Sequence, residues 1–179
     1  MDIFVDTGVI FGYSSNGDTF FPYCQKLFEG REFRDNKYYT TVGIVKREIE
    51  RIKDARLQGF KNPIRLFILK ASNTLEKLSD VSMGNHPKYR ELTDNIHAFL
   101  LMVRKDKKRK QCDSILLSNS HLWSISYANL ITPYFLTTDK IDIFDNRPKI
   151  SQIASNCLSL QCPIEIDYIP YFIQKETAN

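Results

Sequence analysis

The sequence predicts a three-layer α/β sandwich, with helices on both sides of a central, mostly parallel sheet. Short, apolar, β-favouring runs recur along the chain: DIFV before Asp6, Tyr38–Thr41, YFLTT at 134–138 and IEIDYIPYFI at 164–173. Segments of helical length, one of them with a clear apolar face, separate these runs. Strands alternating with helices in this way form a parallel sheet whose crossovers are the helices. In such sheets, function gathers at the carboxyl ends of the strands.

Each element has its own signal. DIFV has the composition of a strand buried on both faces, and Gly8 reads as a turn that lets the chain leave the strand end. After Asn16-Gly17, Asp18 can cap a helix over 19–29 that Gly30 closes, and the strand at 38–41 follows. Residues 42–57 place Val45, Ile49 and Ile52 three and four apart, one apolar face of a helix. Two more helices are expected at 62–78 and 87–105, separated by the Gly- and Pro-containing stretch SDVSMGNHP. A further helix starts near Asp113, and the YFLTT strand then stops at Asp139. Pro148 opens a short helix to about 158, and IEIDYIPYFI reads as the last strand.

The chain has 179 residues, which suits one domain over 1–179 able to bury roughly 70% of its unfolded surface. Apolar residues make up 42% and charged residues 26%, the usage of an ordinary globular domain. Apolar stretches are short and broken by charge, and no basic region followed by a small-residue cleavage site opens the chain. The expectation is a cytoplasmic protein with no membrane partner. Cys24, Cys112, Cys157 and Cys162 form no C-x-x-C pair, and His86, His97 and His121 stand at no ligand spacing, which argues against zinc.

Four acids occupy recurrent places. Asp6 and Asp139 each end a predicted strand, Glu48 projects from the edge of the apolar face of the 42–57 helix, and Asp113 precedes Leu116 and Leu117 at helical spacing. Glu50, about 200° round the helix from Glu48, points to water. A carboxylate beside a buried stripe is costly without a partner. Each has a plainer reading as well: Asp113 as a helix N-cap, Glu48 as one half of a salt bridge, Asp6 and Asp139 as turn formers.

Taken together, acid at the end of strand one, acid on the inner face of the next long helix, acid at a late helix start and acid at the end of the following strand resemble the PIN-domain ribonucleases, including the VapC-type toxins. The resemblance runs from IFVDTGVI through TTVGIVKREIERI and CDSILLSNS to FLTTDKIDIF. It implies a PIN-like fold, a metal site of Asp6, Glu48, Asp113 and Asp139, and hydroxyl help from Thr7 and Thr138. Family members often carry a further acid two residues after the last one; here that position is Ile141, and the next acid is Asp142. Asp142 therefore falls outside the pattern.

Gathered carboxylates suit Mg²⁺ or Mn²⁺, which prefer oxygen ligands and leave room for water and phosphate oxygens. One or two such ions can activate water for in-line attack on a phosphodiester. The implied activity is a Mg²⁺- or Mn²⁺-dependent endoribonuclease acting on single-stranded or structured RNA, compatible with a toxin held by an antitoxin-like protein. A PIN-like module that binds RNA or protein without catalysis is the alternative, and a second copy of the chain is a further candidate partner. Asp6-Thr7-Gly8 also matches an aspartic-protease motif, but that chemistry needs an all-β fold and a second such aspartate. A phosphatase of the haloacid dehalogenase type would place an aspartate at position 8, which is Gly.

Net charge is +4, and Arg104 to Lys110 packs six cations into seven residues just before Asp113. Lys107, Lys108 and Arg109 could meet a nucleic-acid backbone laid across the acids, with Lys46, Arg47 and Arg51 as a second basic patch. The plainer reading is a solvated loop beside a helix C-terminus. Tyr13, Tyr38, Tyr39 and Trp123 could stack on bases, but aromatic residues more often fill a core.

Overall fold

A computed structural model describes residues 1–56, 62–104, 111–125 and 132–178 of the chain. Five parallel strands form one sheet: β1 (Asp2–Val5), β2 (Lys37–Thr40), β3 (Ser79–Asp80), β4 (Tyr134–Thr137) and β5 (Glu165–Tyr168). Their order across the sheet is β3-β2-β1-β4-β5, so the chain runs outward from β1 on one side and resumes next to β1 on the other. That reversal makes the crevice beyond β1 and β4 the topological switch point, where open α/β sheets place their sites.

The strands are short and apolar because both sheet faces are covered. Pleating sends Ile3, Val5 and Leu136 into one core, while Phe4 and Phe135 enter the other. The Phe4 and Phe135 rings stack with centroids 5.8 Å apart, and Trp123 closes on Phe4 at the same distance. On the first face lie α1 (Thr7–Ser14), α2 (Phe21–Glu29), α4 (Asn62–Leu75) and α8 (Ile169–Thr177); on the second lie α5 (Tyr89–Val103), α6 (Cys112–Ile125) and α7 (Arg147–Leu158). The helix α3 (Val42–Arg56) bridges them, with Ile44 in one core and Val45 and Ile49 in the other. The predicted three-layer sandwich is the observed architecture. No helix among the described residues is long and apolar enough to cross a membrane.

Four elements depart from the sequence reading. Gly8 is not a turn: a helix begins directly after β1, because Asp6 caps it by accepting a 2.9 Å bond from Val9 N–H, while Val9 and Ile10 are fully buried. Cap and burial outweigh the roughly 1 kcal/mol that each glycine costs a helix interior. Asp18 does not cap α2; its carboxylate accepts from Phe20 N–H in the turn before, and the helix starts later with Pro22 in its first turn. The last apolar run divides, Glu165–Tyr168 extending the sheet and Ile169–Thr177 turning helical at Pro170, whose fixed φ and missing N–H suit a first helical turn. Strand β3, two exposed residues within SDVSMGNHP, was not expected at all.

Candidate active site at the switch point

Strand register places the two strand-end acids together. Val5 pairs with Leu136, and the Asp6 amide donates to the Leu136 carbonyl at 3.1 Å, so β1 and β4 deliver Asp6 and Asp139 to the same sheet end. Asp6 is 6% exposed. Its Oδ1 caps α1, and its Oδ2 accepts a short hydrogen bond from the Thr137 hydroxyl. Burial is the main influence on this carboxyl; despite those two bonds, and with the Asp113 and Asp139 charges adding to it, the pKa is raised to about 7.

Asp139 caps a single π turn, Lys140–Phe144, by accepting the Asp142 amide at 2.8 Å. Burial raises its pKa, with the Asp142 and Asp113 charges in support. The π turn bonds five residues apart, Phe144 N–H to the Asp139 carbonyl and Asp145 N–H to the Lys140 carbonyl. Ile141 is thereby 67% exposed, while Asp142 points back to the cluster.

Asp113 lies in the first turn of α6, where negative charge complements the helix N-terminus; the helix begins one residue earlier, at Cys112. Glu48 is half-buried on α3, and its Oε2 is buried with no hydrogen-bond partner. It lies beside Cys112, whose thiol pKa is pushed up by burial and then by the Glu48 charge. Glu50 is exposed, as its position on the helix predicts.

One cation unites the remaining acids. Arg104, directly after α5, donates from Nη2 to Asp113 in a short ion pair and from Nε to Asp142 at 3.1 Å, its side chain only 8% exposed. Burial alone would lower the guanidinium's pKa, but the Asp113 bond and the charges of Asp113, Asp142 and Asp139 raise it.

The two expected hydroxyls have different surroundings. The Thr7 hydroxyl is buried without a hydrogen-bond partner. Thr138 presses on α1, such that a Cβ at Gly8 would collide with its Oγ1. The hydroxyl bonded to Asp6 is that of Thr137, one residue earlier. Lys46 and Arg47 are exposed, with Arg47 Nε donating to the Gly43 carbonyl at 3.4 Å. Lys107, Lys108 and Arg109 lie outside the described residues.

The donor chemistry of Asp6, Asp113 and Asp139 suits a hard divalent cation, with carboxylate oxygens and a carboxyl on Asp6 whose charge is disfavoured by burial. Glu48, with its partnerless buried oxygen, is brought to Cys112, the residue before Asp113, and not into contact with the other three acids. The spacing does not yet present a metal site, since among the described residues no group of three or more His, Cys, Asp or Glu side chains stands close enough to hold a metal ion. Arg104 already neutralises Asp113 and Asp142. No protein-family model, curated protein or solved structure matches the chain.

Proposed function

We propose that this protein is a PIN-like, Mg²⁺- or Mn²⁺-dependent endoribonuclease. The observation that carries the reading is the meeting of Asp6 and Asp139 at the ends of adjacent strands, at the switch point, with Asp113 near enough for its charge to act on both. Asp6, Glu48, Asp113 and Asp139 would hold the cation, which when bound supplies charge stabilisation and water activation for phosphodiester hydrolysis. Thr137 donates to one Asp6 oxygen, the Val9 amide in the first turn of α1 donates to the other, and the π turn fixes Asp139. Exposed Lys46 and Arg47 on α3 would meet the RNA backbone, as would Lys107, Lys108 and Arg109, and an antitoxin-like protein is a candidate partner.

The experiment is cleavage of single-stranded RNA by purified protein with Mg²⁺ or Mn²⁺. Activity lost in EDTA, and lost in Asp6→Asn and Asp113→Asn while circular dichroism is unchanged, is the expected result; undiminished cleavage by both variants overturns the reading. A second reading, a PIN-like module that binds RNA or protein without catalysis, is favoured by Arg104 seated on Asp113 and Asp142. RNA binding that ignores EDTA, with no cleavage in any metal, would select it.

A further inference from the structure

The basic run from Arg104 to Lys110 looks uniform in sequence, yet its first member is buried, whereas long cationic side chains are almost never buried unless paired. Arg104 is paired twice, through two different nitrogens, to acids on two different elements: Asp113 on α6 and Asp142 on the π turn. Its planar fork thus spans the gap between the late helix and the end of β4, and Asp139 adds a third charge. A buried guanidinium bound in this way is the counter-ion that lets the acids stay together without a metal.

We propose that Arg104 is the resident cation of this acid cluster, and that a divalent ion binds there only by displacing the guanidinium from Asp113. The proposal rests on the metal-dependent reading above and adds to it a built-in competitor. Coulomb's law gives the reason: the guanidinium and a divalent ion would neutralise the same carboxylates, and neither tolerates the other at contact distance in a poorly solvated site. Arg104 thereby sets the metal concentration at which the site fills. Its two carboxylate bonds must be broken first, and hydrogen bonds to charged groups are among the stronger ones. Metal-free protein is stabilised by the same contact, so occupancy and apo stability move in opposite directions when Arg104 is changed.

The test is Mn²⁺ binding to wild type, Arg104→Lys and Arg104→Ala, read by the electron paramagnetic resonance of free Mn²⁺ and by calorimetry, together with melting curves in EDTA. The expected order of Mn²⁺ affinity is wild type weakest, Lys intermediate and Ala strongest, with Ala tighter than wild type by about ten-fold or more. The expected order of melting temperature in EDTA is the reverse. Free guanidinium at low millimolar concentration should refill the vacated space and weaken Mn²⁺ binding to Arg104→Ala while leaving wild type unchanged. Should the Ala variant not fold, the Lys variant alone decides, because Lys keeps the charge but not the two-nitrogen fork. Equal or weaker Mn²⁺ binding in the variants, with wild type binding normally, overturns this proposal and leaves the nuclease reading intact. No Mn²⁺ binding by any folded form overturns both.

Discussion

The Thr137 hydroxyl donates to the Asp6 carboxylate across two neighbouring parallel strands, 131 positions apart in sequence and both buried. The bond opposes the desolvation that lifts the Asp6 pKa. Its removal should therefore matter most when Asp6 is ionised. Thr137→Val is expected to cost about 1.5–3 kcal/mol near pH 8, above the Asp6 pKa of about 7, and clearly less near pH 5. Urea unfolding at the two pH values measures it, with Thr137→Ser as the recovering control. An equal loss at both would show that the hydroxyl does not act through the carboxylate.

Asp6 itself gives a stability slope whose sign is fixed. Its folded pKa of about 7 lies above the ordinary 3.8, so the folded state holds the proton more tightly than the unfolded chain. The site therefore costs nothing below 3.8 and its full amount above about 7, on the order of 4 kcal/mol at most. Asp6→Asn keeps a side chain able to cap α1 and removes the charge. In EDTA near pH 8 it should melt higher than wild type, the gap closing as pH falls through the window. A variant that melts lower at every pH would mean the carboxylate is stabilising as it stands.

His121 tilts the profile the other way. It is fully buried on α6, Nδ1 meeting the Leu117 carbonyl at 2.7 Å and Nε2 without a partner. Burial lowers its pKa from 6.5 to about 4, so the unfolded state binds the proton first on acidification. Stability should fall by about 3 kcal/mol between those values as pH drops, and His121→Leu should flatten that limb. The two variants separate the opposed contributions, Asp6→Asn steepening the acid limb that His121→Leu removes. A His121→Leu curve parallel to wild type would reject the assignment.

Gly8 and Thr138 should show coupling in a double-mutant cycle. A Cβ at position 8 collides with the Thr138 hydroxyl, so Gly8→Ala is expected to destabilise by about 1–3 kcal/mol despite alanine's better helix propensity. Removing the obstacle with Thr138→Ala should recover much of the loss. Additive single effects would place the strain elsewhere.

The sheet was legible because burial on both faces leaves strands with no polar alternation, and because α3 repeats its apolar residues at helical spacing. Helix α1 was hidden by two glycines in eight residues, α8 by an apolar run in which only Pro170 marks the change, and β3 by its two-residue length. At the site, strand ends made Asp6 and Asp139 visible. Thr137 and Thr138 face opposite ways on a pleat, and a run of five residues does not fix that phase. Arg104 is picked out by where α5 ends, which composition does not encode.

The turn after β4 changes what a one-residue offset means. A π turn takes up one residue more than an α turn, so an insertion there can be absorbed locally instead of shifting everything downstream. Ile141 is the residue expelled to solvent, while Asp142, one step further round, reaches Arg104 at 3.1 Å. The extra residue of the turn is thus the one left in water, and the acid after it keeps its place on the guanidinium.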